Sequence, residues 1–211
     1  MPNVIDTVVA MLATASLGAV WSSCSPGFGI RGVLDRFGQI APRILITTDG
    51  YFYNGKTLNS LDRVAGIEAQ LPSVEAIVVC DHITQTADLS LLHDAVPNKA
   101  IHLNDFVDLN ASEIDFVDCS FDDSLYIMYS SGTTGAHKCI VHGIGGTLLQ
   151  HNKEHLLHTD VSPADVLFYY TTCGWMMWNW LVSGLLLGCT VLLYDGSPFK
   201  TPDILIDLAE K

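Results

Sequence analysis

Short runs of β-branched and aliphatic residues alternate with amphipathic stretches along this chain, and that alternation limits its fold more than any other feature. Residues 3–16 carry Val4, Ile5, Val8, Val9, Met11 and Leu12 at helical spacing, Gly18 ends the run, and residues 19–22 suit a short strand. Residues 30–37 read as a helix, 43–47 as a strand, 58–70 as a helix and 76–79 as a buried strand. Residues 125–128 form another strand, 145–157 a helix, and 202–210 open one more. Repetition of helix then strand predicts an α/β fold, with a doubly wound, mostly parallel sheet and helices on both faces. Residues 81–121 are polar and irregular and are expected to run over the surface. No repeat or low-complexity tract interrupts the pattern.

The densest chemistry lies at residues 129–135, Tyr-Ser-Ser-Gly-Thr-Thr-Gly, followed by Lys138. Ser130, Ser131, Gly132, Thr133, Thr134 and Gly135 each offer a backbone N–H, the serines and threonines add hydroxyls, and the glycines turn where a Cβ would clash. Such a loop can wrap a phosphate, and a lysine beyond it can balance the charge. Apolar runs at 125–128 and 139–141 flank it, so it joins two strands or a strand to a short extended segment. Counted from Gly132, Lys138 falls where a Walker lysine would. However, His137 stands in place of the second glycine and Cys139 in place of the magnesium-binding hydroxyl, so this is not a Walker loop. A plain polar turn is the alternative; the run of hydroxyls and glycines ahead of a lysine favours phosphate.

Composition narrows the partners. The 211 residues are 49% hydrophobic and 16% charged, enough for one sizeable core. A net charge of −13 argues against nucleic acid and anionic membranes, but not against ATP held by a local donor-rich loop. Cysteines 24, 80, 119, 139, 173 and 189 form no C-x-x-C pair, which fits a reduced, cytosolic interior. Residues 7–30 are uncharged, but Asp6 precedes them and no basic segment does, against a signal peptide. Residues 166–194 are also uncharged, yet Gly174, Asn179, Gly184 and Gly188 break the run and its ends are β-branched and aromatic. The expectation is strand, turn, buried helix and strand, with no membrane span.

The loop with Lys138 and the following Cys-Ile-Val-His-Gly (139–143) resembles the phosphate loop of the adenylate-forming acyl-CoA synthetases. Residues 145–150, 153–160, 171–183 and 194–199 are similar to the acetoacetate-activating branch of that family, the string Trp-Met-Met-Trp-Asn-Trp (175–180) being the most specific. Weaker similarity covers 11–23 and 44–56, so the resemblance spans essentially the whole chain but only a minor part of the family's length.

The resemblance implies an ATP phosphate site made of Ser130, Ser131, Gly132, Thr133, Thr134, Gly135 and Lys138. Lys138 would neutralise phosphate charge, and no other residue is assigned to catalysis. The family usually has proline where this chain has His137. Trp175, beside Gly174 at a helix start, is expected to line the acyl pocket. Asn54, Gly55 and Lys56 match a segment that contacts CoA, with Tyr53 replacing its first basic residue; a plain turn is the alternative. His151-Asn-Lys-Glu-His155 fits the H-x-x-E-H zinc pattern, but the resemblance implies no metal there, and an exposed histidine-rich helix is expected.

The implied reaction uses ATP with Mg2+, acetoacetate and CoA. Carboxylate attacks the α-phosphorus, pyrophosphate leaves, and the CoA thiolate then displaces AMP. Residues 1–211 would be part of the large N-terminal domain of such an enzyme, without its C-terminal domain, and inactive alone. Two alternatives stay open. One is a non-catalytic truncated product that binds nucleotide or a partner; the other is a ligase for acetate or a similar short acid.

Overall fold

The computed structural model describes residues 1–97, 99–131 and 137–210. Helix α1 (Ile5–Ser16) buries Thr7, Val8 and Met11 and leaves Ile5, Val9 and Leu12 exposed. It stops at Gly18, whose φ of 66° is the left-handed conformation that glycine adopts without strain. Strand β1 (Trp21–Ser22), helix α2 (Ile30–Phe37) and strand β2 (Ile44–Thr48) follow. Strands β3 (Gly50–Tyr53) and β4 (Lys56–Asn59) form a hairpin before helix α3 (Leu61–Glu68) and strand β5 (Ala76–Cys80). Next come α4 (Ser90–Ala95), β6 (Ala100–His102), α5 (Leu103–Phe106), β7 (Ser124–Tyr129) and β8 (Cys139–Gly143). Helix α6 (Ile144–Lys153) runs on into a π turn (Glu154–His158). Strand β9 (Val166–Phe168), helix α7 (Met176–Ser183) with a 3-10 turn (Gly184–Leu187), strand β10 (Thr190–Leu192) and helix α8 (Ile204–Ala209) complete the order.

Parallel pairing dominates. Strands β2, β5 and β6 form one parallel sheet in the order β2-β5-β6, and β9 pairs parallel with β10. Strand β1 lies parallel to β7, more than 100 positions away, with Trp21 opposite Tyr126 and Ser22 opposite Ile127. Antiparallel pairs occur at β7–β8 and in the β3–β4 hairpin. Alternation along β2 sends Leu45 into one core and Ile46 towards another. The first core packs Leu45, Ile77 and Val79 of the β2-β5-β6 sheet against α2, α3 and α4. The second packs Trp21, Tyr126 and Met128 between α1 and α7, where Trp178 is fully buried and donates to Asn3 Oδ1 at 2.8 Å. No helix among the described residues is long and apolar enough to cross a membrane, and the uncharged stretch 166–194 is the expected strand, turn, helix and strand.

Three expectations need correction. Residues 58–59 belong to β4, not to a helix: Asn54 and Gly55 have φ of 49° and 74°, the tight hairpin turn that Asn-Gly favours, and the antiparallel ladder runs to Asn59. The Asn59 side chain then accepts from the Leu61 N–H at 2.8 Å and starts α3. Residues 81–106 are not merely surface chain, because Ala87, Leu89, Leu92 and Val96 enter the first core. The histidines of 151–155 are not exposed. His155, within the π turn, is fully buried against Trp180 and Ser183 of α7, and His151 is nearly buried on α6.

Candidate functional site

The site is built where loops leave the carboxyl ends of β1 and β7. Ligands of parallel α/β sheets gather at that edge. From β7 the chain enters the glycine-rich loop, and β8 receives it through the pair Tyr129–Cys139. One step further, the Ser130 N–H donates to the Lys138 carbonyl at 2.9 Å, and the Lys138 N–H donates to Ser130 Oγ at 3.0 Å. These bonds shut the loop at its neck. Ser131 and Lys138 stand exposed on its two sides. Gly132, Thr133, Thr134 and Gly135 lie outside the described residues. Ser130 Oγ accepts one hydrogen bond within the neck, which restricts the orientation of its hydroxyl.

Helix α2 braces both shoulders of the neck. Arg36 lies 4.4 Å over the Phe28 ring and 5.8 Å from the Tyr129 ring, and it donates to the Gly32 carbonyl at 2.6 Å. Its other terminal nitrogen is 3.0 Å from His137 Nε2, while His137 Nδ1 is 2.6 Å from the Ser130 carbonyl. The Gln39 side-chain amide donates to the His137 carbonyl at 2.8 Å. Tyr129 is also tied to β1, its hydroxyl 2.9 Å from Ser22 Oγ, and burial pushes its phenol well above the usual range.

Trp175 joins the same corner from the other side. It stands ahead of α7 with extended backbone, φ −112° and ψ 148°, and is 60% exposed, whereas Trp178 one turn on is buried. A Cβ on Gly174 would lie 3.0 Å from the Ser25 nitrogen and 3.5 Å from the Phe28 ring, so the segment before Trp175 packs closely on the loop after β1. Ser23 Oγ donates to the Cys173 carbonyl at 2.5 Å. Gly174, Phe28, Arg36 and His137 thus form a continuous line of contact from Trp175 to the loop neck. Burial pushes the Cys24 and Cys173 thiols up to about 12, which favours their protonated form.

Asn54, Gly55 and Lys56 occupy the hairpin tip, with the Lys56 side chain exposed. The hairpin is anchored to the segment after β10: the Phe52 N–H donates to Asp195 Oδ2 at 3.2 Å, and His82 Nε2 lies 3.1 Å from the same oxygen. No hydrogen bond or ion pair among the described residues links the hairpin to the loop neck. His155 Nε2 lies 2.9 Å from both the Trp180 carbonyl and Ser183 Oγ, in a packing role, and no cluster of three His, Cys, Asp or Glu side chains converges among the described residues. A cleft of about 620 Å³ runs from this corner, at Ser22, Ser25 and Phe28, along the seam between β1 and β2, lined chiefly by apolar residues such as Leu17, Trp21 and Ile44. Among its described lining residues it does not include Ser131 or Lys138.

Sequence reading did not find the roles of Arg36 and Gln39. Their partner lies about 100 positions downstream, and the only signal was a basic residue in the last turn of α2 beside an unexpected His137.

Fold and corner together define a mainly parallel α/β arrangement with a glycine-rich loop at one of its strand ends. A profile of the family described as AMP-binding enzyme matches residues 1–211, and the chain belongs to that family. It is 51% identical to acetoacetyl-coenzyme A synthetase of Rhizobium meliloti (strain 1021), over 99% of this chain and 32% of that protein. A malonamoyl-CoA synthetase of Penicillium aethiopicum is 47% identical over 93% of this chain and 28% of its own length. The solved structure of acetoacetyl-CoA synthetase from Streptomyces lividans superposes with a TM-score of 0.85 at 44% identity, covering 94% of this chain and 29% of that one. The chain therefore spans about a third of the length of the curated relatives it matches.

Proposed function

We propose that this chain is the phosphate-loop part of an ATP-dependent acid–thiol ligase that converts acetoacetate to acetoacetyl-CoA through an acyl-adenylate. The observation that carries this reading is the closed neck, which presents Ser131 and Lys138 at the carboxyl end of β7, one contact line away from exposed Trp175. Joining two anions, a carboxylate and a triphosphate, requires charge neutralisation and alignment more than a strong base. Lys138 supplies positive charge beside the loop, and the hydroxyls and N–H groups of residues 130–135 orient the phosphates. The carboxylate oxygen bonds to the α-phosphorus as the bond to pyrophosphate breaks. The CoA thiolate then bonds to the acyl carbon as AMP leaves with the electron pair.

Hydroxyls and a lysine suit phosphate oxygens rather than a resident ion, so magnesium is read as part of the ATP substrate. The Asn54–Lys56 tip is the part that would meet CoA. Trp175 would stack on the acid. The name of the Penicillium relative favours a short acid with a carbonyl two carbons from the carboxylate, since malonamate and acetoacetate share that shape, over plain acetate. Net charge of −13 supports small-molecule partners rather than nucleic acid, and six free thiols suit the cytosol. Residues 1–211 are read as a portion of the family's N-terminal domain that binds nucleotide but does not complete the reaction alone. Equilibrium dialysis of labelled ATP against the purified chain tests this. Saturable binding weakened by Lys138→Ala is expected, together with no acetoacetate-dependent exchange of pyrophosphate into ATP. Absence of saturable binding sinks the reading.

A further inference from the structure

We propose that Arg36 and His137 form a positioning latch that sets the phosphate loop, supplying from outside the chain the rigidity that a proline at position 137 would supply from within. The inference rests on the functional reading above. Its physical core is a proton assignment. A guanidinium can only donate, and a backbone carbonyl can only accept. His137 stands between one of each, with Nε2 3.0 Å from Arg36 and Nδ1 2.6 Å from the Ser130 carbonyl. Only the neutral Nδ1–H tautomer satisfies both, so Arg36 and the Ser130 carbonyl together select that tautomer, and the tautomer ties loop exit to loop entry. An imidazolium would set a second cation against Arg36, and the Nε2–H tautomer would aim a donor at a donor.

Arg36 is itself immobilised. Gly32 accepts from it at 2.6 Å, and the Phe28 ring lies 4.4 Å beneath it. Gln39, in the turn just past the end of that helix, holds the His137 carbonyl, and the Tyr129 ring at the other shoulder also faces Arg36. One rigid helix end therefore grips both sides of the loop mouth. Proline would achieve the same by fixing φ within the chain; here the constraint comes from outside it. Neither side chain need touch nucleotide, so both are positioning residues.

Two measurements on the 211-residue chain decide the matter. Long-range 1H–15N correlation of the imidazoles should show His137 as the Nδ1–H tautomer; Arg36→Lys, still a donor, keeps it, and Arg36→Gln, whose amide can donate or accept, should weaken the preference to what the Ser130 carbonyl alone maintains. In equilibrium dialysis, loss of one half-exposed charged hydrogen bond should weaken ATP binding about fivefold in Arg36→Gln. His137→Pro should retain affinity, and adding Arg36→Gln to it should change affinity less than about twofold. His137 found as Nε2–H in the wild type, or an Arg36→Gln effect of equal size in both backgrounds, overturns the latch. A wild type that binds no ATP overturns the functional reading, and the positioning role with it, while the tautomer result still reports whether the pair forms. Unchanged melting temperatures separate these effects from loss of fold.

Discussion

Removing the carboxylate of Asp49 is expected to cost more stability than removing any single surface charge. Asp49 is 2% exposed at the turn between β2 and β3. Its Oδ1 accepts from the backbone N–H groups of His82 at 2.9 Å and Ile83 at 3.0 Å. Its Oδ2 accepts from the Thr84 N–H at 3.0 Å and the Thr84 hydroxyl at 2.6 Å. Hydrogen bonds to a charged acceptor each contribute about 1.5–3 kcal/mol, and water entering the vacated turn recovers part of that. The net cost of Asp49→Ala is therefore about 3–5 kcal/mol. Asp49→Asn keeps the shape and one acceptor oxygen but turns an amide N–H towards a donor, costing about 2–3 kcal/mol. Urea unfolding followed by far-UV circular dichroism measures both.

The pH dependence gives a second arm. Burial alone would raise this carboxyl; the Thr84 hydroxyl and the N–H groups of Ile83, His82 and Thr84 outweigh it and hold the group below its usual value. With the folded value below the unfolded one, the stabilisation is complete above about pH 3.9 and fades as pH falls through the folded value. The gap between wild type and Asp49→Asn should accordingly narrow only in acid. A gap under about 1 kcal/mol at neutral pH, or one that widens on acidification, refutes the reasoning.

Glycine positions and the buried histidines yield further expectations. A Cβ on Gly50 would lie 2.4 Å from the Leu58 carbonyl oxygen and 2.3 Å from Ile83 Cδ1, so Gly50→Ala must open the hairpin. Its urea midpoint should report a loss of about 2 kcal/mol or more. Gly146 in α6 has nothing within 4 Å of the same position, and Gly146→Ala should gain about 0.5–1 kcal/mol from helix propensity in the same measurement. His151 is held down to about 4, by burial first and then by His155 and His142. Its neutral form contributes fully above the unfolded value of about 6.5 and the contribution is lost as pH falls towards the folded value. Thermal melts between those limits should therefore decline with acidification, and His151→Gln should flatten the decline.

Periodicity was sufficient for elements whose partners are set by burial alone. The strands at 43–47, 76–79 and 125–128 and the long uncharged segment all appear within a residue or two of their expected limits, because apolar runs between turn residues have few other places to go. Where the reading failed, a specific local signal was outweighed or given another meaning. At Asn54-Gly55 a turn stood beside the ligand contact, but the hairpin that this pair favours was not followed into β4, so residues 58–59 were given to a helix. Leu89, Leu92 and Val96 sit among polar residues, so their core-facing stripe was too short to stand out. Helical spacing put His151 and His155 near one another but says nothing about which face meets α7, and the π turn changes that face again. At the loop, residue types announced phosphate chemistry, yet the brace on it depends on contacts between α2 and residue 137 that no local pattern encodes.

The tryptophans divide unevenly between interior and solvent, which gives the chain an optical reporter. Trp21 and Trp178 are buried and stacked with ring centres 6.4 Å apart, and Trp180 lies 4.4 Å from the His155 ring. Trp175 is the one that stands 60% exposed. From its exposure its emission is expected at the red edge of the spectrum, and it should be the most open to a collisional quencher such as acrylamide. The buried pair emits to the blue and stays shielded until the fold is lost. Unlabelled protein can thus be followed in two colours, one for integrity of the core beneath α7 and one for events at the corner where the acid is proposed to dock.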